Sequence, residues 1–194
     1  MNKIVFATNN AHKLQELRQI MDGRYEIVSL SEIGCHDDIP ETADTIEGNA
    51  LIKARYVWER FHIACFSDDT GLEIKALDGE PGVYSARYSG LPVDSERNIT
   101  KVLTRMQGIT DRTARFRTAI VLIDLDGTVH NFEGEVRGQI LTGRHGTGGF
   151  GYDSIFKPDE AECSFAEMDA QAKNAISHRG RAVAALAAHL HAAK

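Results

Sequence analysis

Two adjacent carboxylates, Asp68 and Asp69, directly follow a short apolar segment at residues 63–66. The pattern predicts that the pair lies on a turn after a buried strand, where Gly71 permits a tight backbone path. Two like charges this close raise each other's pKa unless a cation lies between them, and carboxylates are ligands that Mg²⁺ prefers. The pair is therefore predicted to hold Mg²⁺ and to activate water, although acids in turns are commonly just solvated.

Residues 8–13, Thr-Asn-Asn-Ala-His-Lys, follow a predicted strand at residues 3–7 and open a predicted helix. The unpaired N–H groups at the start of that helix would form an anion site, although Asn9 or Asn10 would serve equally well as an ordinary N-cap. Lys13 favours the anion site, because the helix dipole disfavours a cation in the first turn unless an anion lies nearby. The segment is therefore a candidate phosphate site.

Three potential cations, Lys173, His178 and Arg179, lie within seven positions just before a predicted terminal helix. His178 and Arg179 are adjacent, so on a turn both could reach one ligand, with the guanidinium offering a planar fork of donors. The alternative is a basic helix entrance that only decorates the surface.

Residues 146–151 satisfy the pattern Gly-x-Gly-x-x-Gly. The dinucleotide fingerprint requires a helix directly afterwards, whereas residues 152–158 have the pattern of a strand, so a Rossmann site is excluded. Phe150, Tyr152 and Asp153 would then lie on a flexible turn, where they could stack on a base and accept hydrogen bonds from its edge. The alternative is a glycine loop beside two core aromatic residues.

Residues 122–128, Leu-Ile-Asp-Leu-Asp-Gly-Thr, resemble the nucleophile motif of haloacid-dehalogenase-type phosphatases, with Asp124 as nucleophile and Asp126 as acid/base. The motif lies deep in the chain, and no later pair of aspartates is placed to hold the metal ion. Asp126-Gly127 is also a two-residue turn signal between two apolar-rich segments. A β-hairpin is therefore favoured over a phosphatase site.

The chain has 194 residues, of which 42% are hydrophobic, and its net charge is −6. This composition predicts one domain over residues 1–194 and argues against binding to nucleic acid, which normally requires clustered positive charge. Three cysteines at long spacings indicate neither a disulfide framework nor a zinc site and are typical of a cytoplasmic protein. The sequence contains no run of about 18 apolar residues, so no membrane span is predicted.

Hydrophobic spacing predicts an alternation of strands and helices in the first half and antiparallel strands later, which together favour an α/β fold with a mixed sheet. A second lobe could form from the hairpin region. The predicted elements are a helix from Asn10 that Gly23 ends, a strand at 25–29, helices at 44–61 and 94–106, a hairpin of strands at 115–125 and 128–137, and a helix at 179–193.

Four segments together resemble the Ham1/inosine triphosphatase family, in the family order and across nearly the whole chain. They are the Thr-Asn-Asn segment with Lys13, residues 67–90, residues 148–153 and residues 177–180. The resemblance implies a curved mixed β-sheet flanked by helices, with two lobes and an active-site cleft between them. It also implies a homodimeric, Mg²⁺-dependent enzyme that hydrolyses ITP, dITP and XTP to the monophosphate and pyrophosphate, which cleanses the nucleotide pool.

By the same resemblance, Asp69 is the catalytic acid/base and a metal ligand, and Asp68 assists it. Glu41 is a candidate second metal ligand, although many relatives have paired glutamates before Thr-Gly where this chain has Pro-Glu-Thr-Ala. The residues implied to contact the triphosphate are Thr8, Asn9, Asn10, Ala11, His12, Lys13 and Thr70. Those implied to surround the base and ribose are Phe150, Gly151, Tyr152, Asp153, Lys173, His178 and Arg179.

The expected reaction is an in-line attack of water at the α–β phosphate linkage, activated by a carboxylate of the Asp68/Asp69 pair with Mg²⁺ held against the phosphate oxygens. Donors placed at O6 would select a 6-oxo purine over adenine. The alternatives are a dehalogenase-type phosphatase that uses Asp124 and a non-catalytic module that senses nucleotides.

Overall fold

A computed structural model describes residues 2–21 and 25–192, and all elements below lie in these ranges. Gly23 and Ala193, both named in the predicted elements, lie outside them. The strands are β1 (Asn2–Phe6), β2 (Tyr25–Ser29), β3 (Cys65–Ile74), β4 (Pro81–Gly82), β5 (Thr113–Ile123), β6 (Val129–Ile140) and β7 (Phe156–Pro158). The α-helices are α1 (Ala11–Ile20), α2 (Ile46–Phe61), α3 (Ser95–Arg105), α4 (Ala170–Ile176) and α5 (His178–Ala192).

The strands form one sheet in the order β2-β1-β3-β5-β6-β7, with β4 paired to β3. Strand β1 pairs in parallel with β2 and β3, whereas β4 pairs antiparallel with β3 and β7 antiparallel with β6. The predicted α/β class with a mixed sheet is therefore confirmed. The early parallel strands are joined through helices, as parallel pairing requires.

Helices α1 and α2 begin where polar side chains cap them. The side chain of Asn10 accepts hydrogen bonds from the backbone of His12 and Lys13, and that of Thr45 accepts one from Gly48. Helix α2 buries six residues at three- and four-residue steps: Ile46, Asn49, Ala50, Lys53, Ala54 and Val57. No helix in residues 2–21 or 25–192 is long and apolar enough to cross a membrane.

Two local predictions were wrong. Strand β3 does not end before Asp68 but continues to Ile74, so the aspartate pair lies within a strand and not on a turn. Residues 153–155, predicted as strand, form a 3-10 turn that leads into β7. Lys173 precedes the terminal helix, as predicted, and lies in a separate short helix, α4, whose N-cap is Asp169.

The chain divides into two compact units, each built from separate segments. Unit 1 contains Met1–Asp69, Thr118–Gly134 and Arg179–Lys194, and unit 2 contains Thr70–Arg117 and Glu135–His178. The core of unit 1 packs the side chains of β1, β2 and α5, among them Phe6, Ile27 and Leu186. The core of unit 2 packs α3, β5 and β7, including Phe116 and Phe156.

Candidate active site

Asp68 and Asp69 are both buried within β3, with 0% and 7% of their surfaces exposed. Successive side chains of a strand point to opposite faces, so the two carboxylates have different partners. Gly71 is required for a close approach and not for a turn, because an added Cβ would lie 2.9 Å from the carbonyl oxygen of Gly82 in β4. The two aspartates therefore require separate descriptions.

The carboxylate of Asp68 is held by two cations. Lys13 Nζ in α1 donates to Oδ1 at 3.0 Å, and Arg179 Nε in α5 donates to Oδ2 at 3.1 Å. Arg179 also pairs with Glu16 and is only 2% exposed. Burial alone would raise the pKa of Asp68, but Lys13 and Arg179 hold that pKa well below its usual range. Asp68 is therefore a fixed anion that joins two helices to β3 within unit 1.

The same contacts change the interpretation of residues 8–13. Lys13 is a cation in a first helical turn, as predicted, and the anion it pairs with is Asp68. The cap is Asn10, since its side-chain oxygen accepts from the N–H groups of His12 at 3.0 Å and Lys13 at 3.1 Å. Thr8 Oγ1 accepts from the Asn10 backbone, and Asn9 donates to the carbonyl oxygen of Asp37. Ala11 and His12 are exposed.

Asp69 faces helix α2 and has a different environment. Its Oδ2 accepts a hydrogen bond from Asn49 Nδ2 at 3.2 Å, and its Oδ1 lies 3.9 Å from Lys53 Nζ. Burial raises the pKa of Asp69, and Lys53 offsets this only in part. A carboxylate with a raised pKa is a stronger base than an ordinary aspartate, which suits it to accept a proton from water.

Glu41 lies beside the same lysine, with Oε1 at 2.6 Å from Lys53 Nζ. Burial would lower the pKa of Lys53, but Asp69 and Glu41 raise it above its ordinary value, so the lysine is charged. Carboxylates from two separate segments thus approach one cation. Mg²⁺ prefers such oxygen ligands, and Asp69 and Glu41 could hold it if the ion displaced the single ammonium group of Lys53 from between them. Asp68 is less suited, because two buried cations hold its two oxygens.

Sequence reasoning missed Asn49, Lys53 and Glu16. The signal for the first two was present, because a polar and a charged residue four positions apart occupy the otherwise apolar face of α2. Such side chains are rarely buried without a partner. Glu16 gave no comparable signal, since an acid in an amphipathic helix is ordinarily solvated.

In unit 2 the predicted base-binding residues form a second cluster. Asp153 Oδ2 accepts from the backbone N–H of Phe150 at 2.9 Å and from Lys173 Nζ at 2.7 Å. The Lys173 ammonium also lies 4.9 Å from the centroid of the Phe150 ring. Gly149 must lack a side chain, because its φ is +68° and a Cβ would lie 2.1 Å from Asp153 Oδ2. The glycine loop is thus folded tightly around a buried ion pair.

The other predicted site residues of unit 2 make contacts of their own. Tyr152 donates its hydroxyl to the carbonyl oxygen of Ser85 at 2.7 Å, and burial raises the pKa of that phenol. His178 is 4% exposed and stacks on Phe116, with ring centroids 4.6 Å apart. Gly151 is half-buried with a φ of +59°, and Thr70 is half-buried on β3.

Comparison with known proteins assigns the family. A sequence model of the Ham1 family matches residues 4–189. The chain belongs to the Ham1 family. It is 53% identical over 195 residues to a protein of Porphyromonas gingivalis named dITP/XTP pyrophosphatase, with 100% of both chains covered.

Solved structures of Ham1 proteins have the same fold. The Ham1 protein of Staphylococcus aureus superposes with a TM-score of 0.90 at 37% identity, with 100% of both chains covered. A Ham1 protein from Coxiella burnetii gives a TM-score of 0.89 at 36% identity, covering 98% of this chain and 99% of the other. The resemblance and the fold class inferred from the sequence are therefore confirmed.

Proposed function

We propose that this Ham1 family member hydrolyses the non-canonical purine nucleoside triphosphates ITP, dITP and XTP to the monophosphate and pyrophosphate, which cleanses the nucleotide pool. The observation that carries the proposal is the environment of Asp69, a buried carboxylate with a raised pKa that lies beside Asn49, Lys53 and Glu41. The name of the relative that is 53% identical supports the substrate class. The proposed catalytic domain comprises residues 1–194.

Asp69 is the general base in this proposal. Its raised pKa lies closer to neutral pH than that of an ordinary aspartate, so it can accept the proton of the attacking water as the water reaches the α–β phosphate linkage. Asn49 holds the carboxylate in place through Oδ2 at 3.2 Å. Asp68 assists by position and not by proton transfer, because Lys13 and Arg179 keep it ionised.

Asp69 and Glu41 would hold Mg²⁺, which would neutralise charge on the phosphate oxygens when bound. Lys53 contributes positive charge at the same place, since its ammonium is close to both carboxylates. These groups would be in position before the substrate arrives, and preorganised charge of this kind is a large part of catalysis of phosphate transfer. The support for the metal is the convergence of two carboxylates on one ammonium group.

The substrate contacts are assigned by cluster. The segment at the start of α1, comprising Thr8, Asn9, Asn10, Ala11, His12 and Lys13, contacts the triphosphate together with Thr70. The residues that contact the base and ribose are those of the unit 2 cluster, Phe150, Asp153 and Lys173, together with Gly151, Tyr152 and His178. Arg179 acts by fixing Asp68, since it is 2% exposed and bonded to that carboxylate.

Selection for a 6-oxo purine comes from hydrogen-bond donors at O6, where adenine presents an amino group. A site built to donate to a substrate oxygen rejects an analogue that cannot accept by roughly 10⁴- to 10⁵-fold. Lys173 is the charged donor of the unit 2 cluster, and its ion pair with Asp153 fixes its direction.

No observation favours the phosphatase alternative. Asp124 and its neighbours form the turn of the predicted hairpin, since Asp124 N donates to Thr128 O at 3.0 Å and Gly127 N donates to Asp124 O at 3.0 Å. Asp126, the acid/base of that alternative, accepts from Thr128 N at 2.9 Å and so completes the turn. The hairpin interpretation accounts for the whole motif.

The test is an assay with ITP, XTP, dITP, GTP and ATP in the presence of Mg²⁺, in which nucleotides, phosphate and pyrophosphate are separated. We expect pyrophosphate from the first three substrates, and a loss of about 10²- to 10⁴-fold in kcat for Asp69→Asn. Asp124→Asn is the matched control and should retain activity. Release of inorganic phosphate that Asp124→Asn abolishes would instead indicate the phosphatase, and binding of ITP without any product would indicate a sensor.

We also propose that the protein is cytoplasmic, forms a homodimer and does not bind nucleic acid. Cys35, Cys65 and Cys163 are free thiols, which suits a reducing compartment. The net charge of −6 opposes binding to a polyanion except where cations are grouped, as around Asp68 and Asp69. Leu91 and Val93 in unit 2 are exposed apolar side chains, and they support self-association.

A further inference from the structure

Three side chains from separate elements of unit 1 meet beside the β5–β6 turn. They are Asp124, which directly follows β5, His130 on β6, and His189 near the end of α5. One possible ligand atom from each lies within 4.8 Å of the other two. His130 Nε2 is 2.9 Å from Asp124 Oδ2, and the two imidazole rings are 4.2 Å apart between centroids.

We propose that this cluster is a binding site for Zn²⁺. Two imidazoles and one carboxylate are a donor set that proteins use for zinc and related transition metals. Ligand atoms about 2.0–2.2 Å from a metal lie roughly 3–3.5 Å from each other, and the 2.9 Å between His130 Nε2 and Asp124 Oδ2 is close to that spacing. The ligand atom of His189 lies within 4.8 Å of both, so it would approach them by up to about 1.5 Å on binding the ion.

Neighbouring contacts hold the three side chains of the cluster in place. All three residues are half-buried, which limits their freedom without closing them to solvent. The ring of His189 also packs against Phe132, with centroids 5.4 Å apart. Asp124 is anchored through its backbone to Thr128 in the turn. A cation bound by both imidazoles would hold the two rings in this close arrangement.

This site is separate from the proposed Mg²⁺ site in residues and in chemistry. It shares no side chain with the Asp69 cluster, and imidazole nitrogen is a borderline ligand that Mg²⁺ does not select over oxygen. The sequence pattern gave no hint of it, because the cysteines carry no zinc spacing and His189 lies far along the chain from Asp124. Binding of Zn²⁺ at this cluster therefore does not depend on the catalytic role of Asp69.

A bound metal at this place would fasten the last turns of α5 to the β5–β6 hairpin. The ligands are widely spaced in the chain, so binding would favour the folded state of unit 1 over the unfolded one. Since α5 also carries Arg179, the metal would secure the far end of the helix that holds Asp68. The expected effect is stabilisation without a direct role at the phosphate linkage.

The experiment measures binding of Zn²⁺ by isothermal titration calorimetry, with Mg²⁺ in large excess to occupy the oxygen-rich site. The variants are His130→Asn and His189→Asn, and the matched control is His191→Asn, an exposed histidine two positions further along α5. We expect one Zn²⁺ per chain in the unaltered protein and in the control. In the two ligand variants the affinity should fall by more than about 10- to 100-fold, which is the cost of losing even an outer partner of a metal ligand.

Thermal unfolding with and without Zn²⁺ provides a second readout, because the rise in Tm should disappear in the ligand variants and persist in His191→Asn. Circular dichroism checks that each variant is folded. Absence of binding by the unaltered protein would overturn the proposal, as would equal affinities in His189→Asn and His191→Asn. In either case Asp124 and His130 form only an ordinary hydrogen bond at a hairpin. Neither outcome changes the expected loss of activity in Asp69→Asn, so the two proposals are tested separately.

Discussion

At the scale of single residues, neighbouring aspartates on one strand have opposite properties. The pKa of Asp68 lies well below the usual range, because Lys13 and Arg179 outweigh the effect of burial. The pKa of Asp69 is raised, because burial outweighs Lys53. Carboxyl groups whose pKa values are pushed apart are commonly divided between a permanent anion and a proton acceptor. The strand creates this division, since it turns the two side chains toward different helices.

Asp68→Asn should destabilise the protein and alter its response to acid. Removing the carboxylate leaves Lys13 and Arg179 buried without it, which costs about 3–5 kcal/mol in the free energy of unfolding at neutral pH. A pKa that is lower in the folded state gives stability that is present above the unfolded pKa of about 4 and is lost as the pH falls toward the folded pKa. Stability of the unaltered protein should therefore fall more steeply below about pH 4 than that of the variant.

Urea unfolding over a pH series measures this difference. Asp38→Asn removes the same charge from an exposed position and should change neither the stability at neutral pH nor its slope in acid. Parallel curves for Asp68→Asn and the unaltered protein would show that the ion pairs do not contribute in this way.

Glu41→Gln should weaken the binding of Mg²⁺, because it removes one of the two carboxylates proposed to hold the ion. The Mg²⁺ concentration that gives half-maximal pyrophosphate release should rise by about 10-fold or more. Glu59→Gln, at an exposed position on α2, removes the same charge and should leave that concentration unchanged. An unchanged Mg²⁺ requirement in Glu41→Gln would contradict the assignment of Glu41 as a metal ligand.

At the scale of elements, local sequence patterns predicted most of the helices and the main hairpin. The 3.6-residue spacing gave α1, α2 and α3, and Asp126-Gly127 gave the β5–β6 hairpin. The strand position of Asp68 was missed because its burial depends on Lys13 and Arg179, which are 55 and 111 positions away in the chain. The sequence therefore identified the aspartates as site residues. It could not predict which cations pair with them, because those contacts join residues that are far apart in the chain.

The pairing of β6 with β7 depends on a glycine. Gly138 lies opposite Pro158, and a Cβ at residue 138 would be 2.2 Å from the carbonyl oxygen of Lys157. Gly138→Ala should therefore destabilise the protein by about 1–3 kcal/mol, because backbone must move to admit the methyl group.

Chemical denaturation of Gly138→Ala and Gly143→Ala tests this. Among the described residues, no atom lies within 4 Å of a Cβ added at Gly143, so that substitution should be close to neutral. Equal midpoints for the two variants would mean that β7 shifts freely and that the close contact is not a constraint.

At the scale of the whole molecule, an acidic chain is proposed to bind a polyanion. The net charge of −6 would repel a nucleoside triphosphate at long range. Lys13, Lys53 and Arg179 are grouped within unit 1, but they are matched there by carboxylates, namely Asp68, Asp69, Glu41 and Glu16. In the proposed function, bound Mg²⁺ would therefore supply the positive charge that attracts the triphosphate. This arrangement suits a small anionic substrate better than a nucleic acid, which requires a broad basic surface.

The proposed homodimer is tested at the apolar residues of unit 2 that face solvent in the single chain. Leu91 is 77% exposed and Val93 is 59% exposed, in the segment before α3. Large apolar side chains grouped at a surface are typical of contacts between subunits, and a symmetric dimer uses the same patch on both chains.

Leu91→Asp would place a charge on each side of such a contact and should convert the dimer to monomer. Light scattering coupled to size-exclusion chromatography measures the mass. Leu125→Asp, which alters a 71% exposed leucine in the β5–β6 turn, is the control and should remain dimeric. A monomeric unaltered protein, or a dimer that only Leu125→Asp disrupts, would contradict an interface at Leu91.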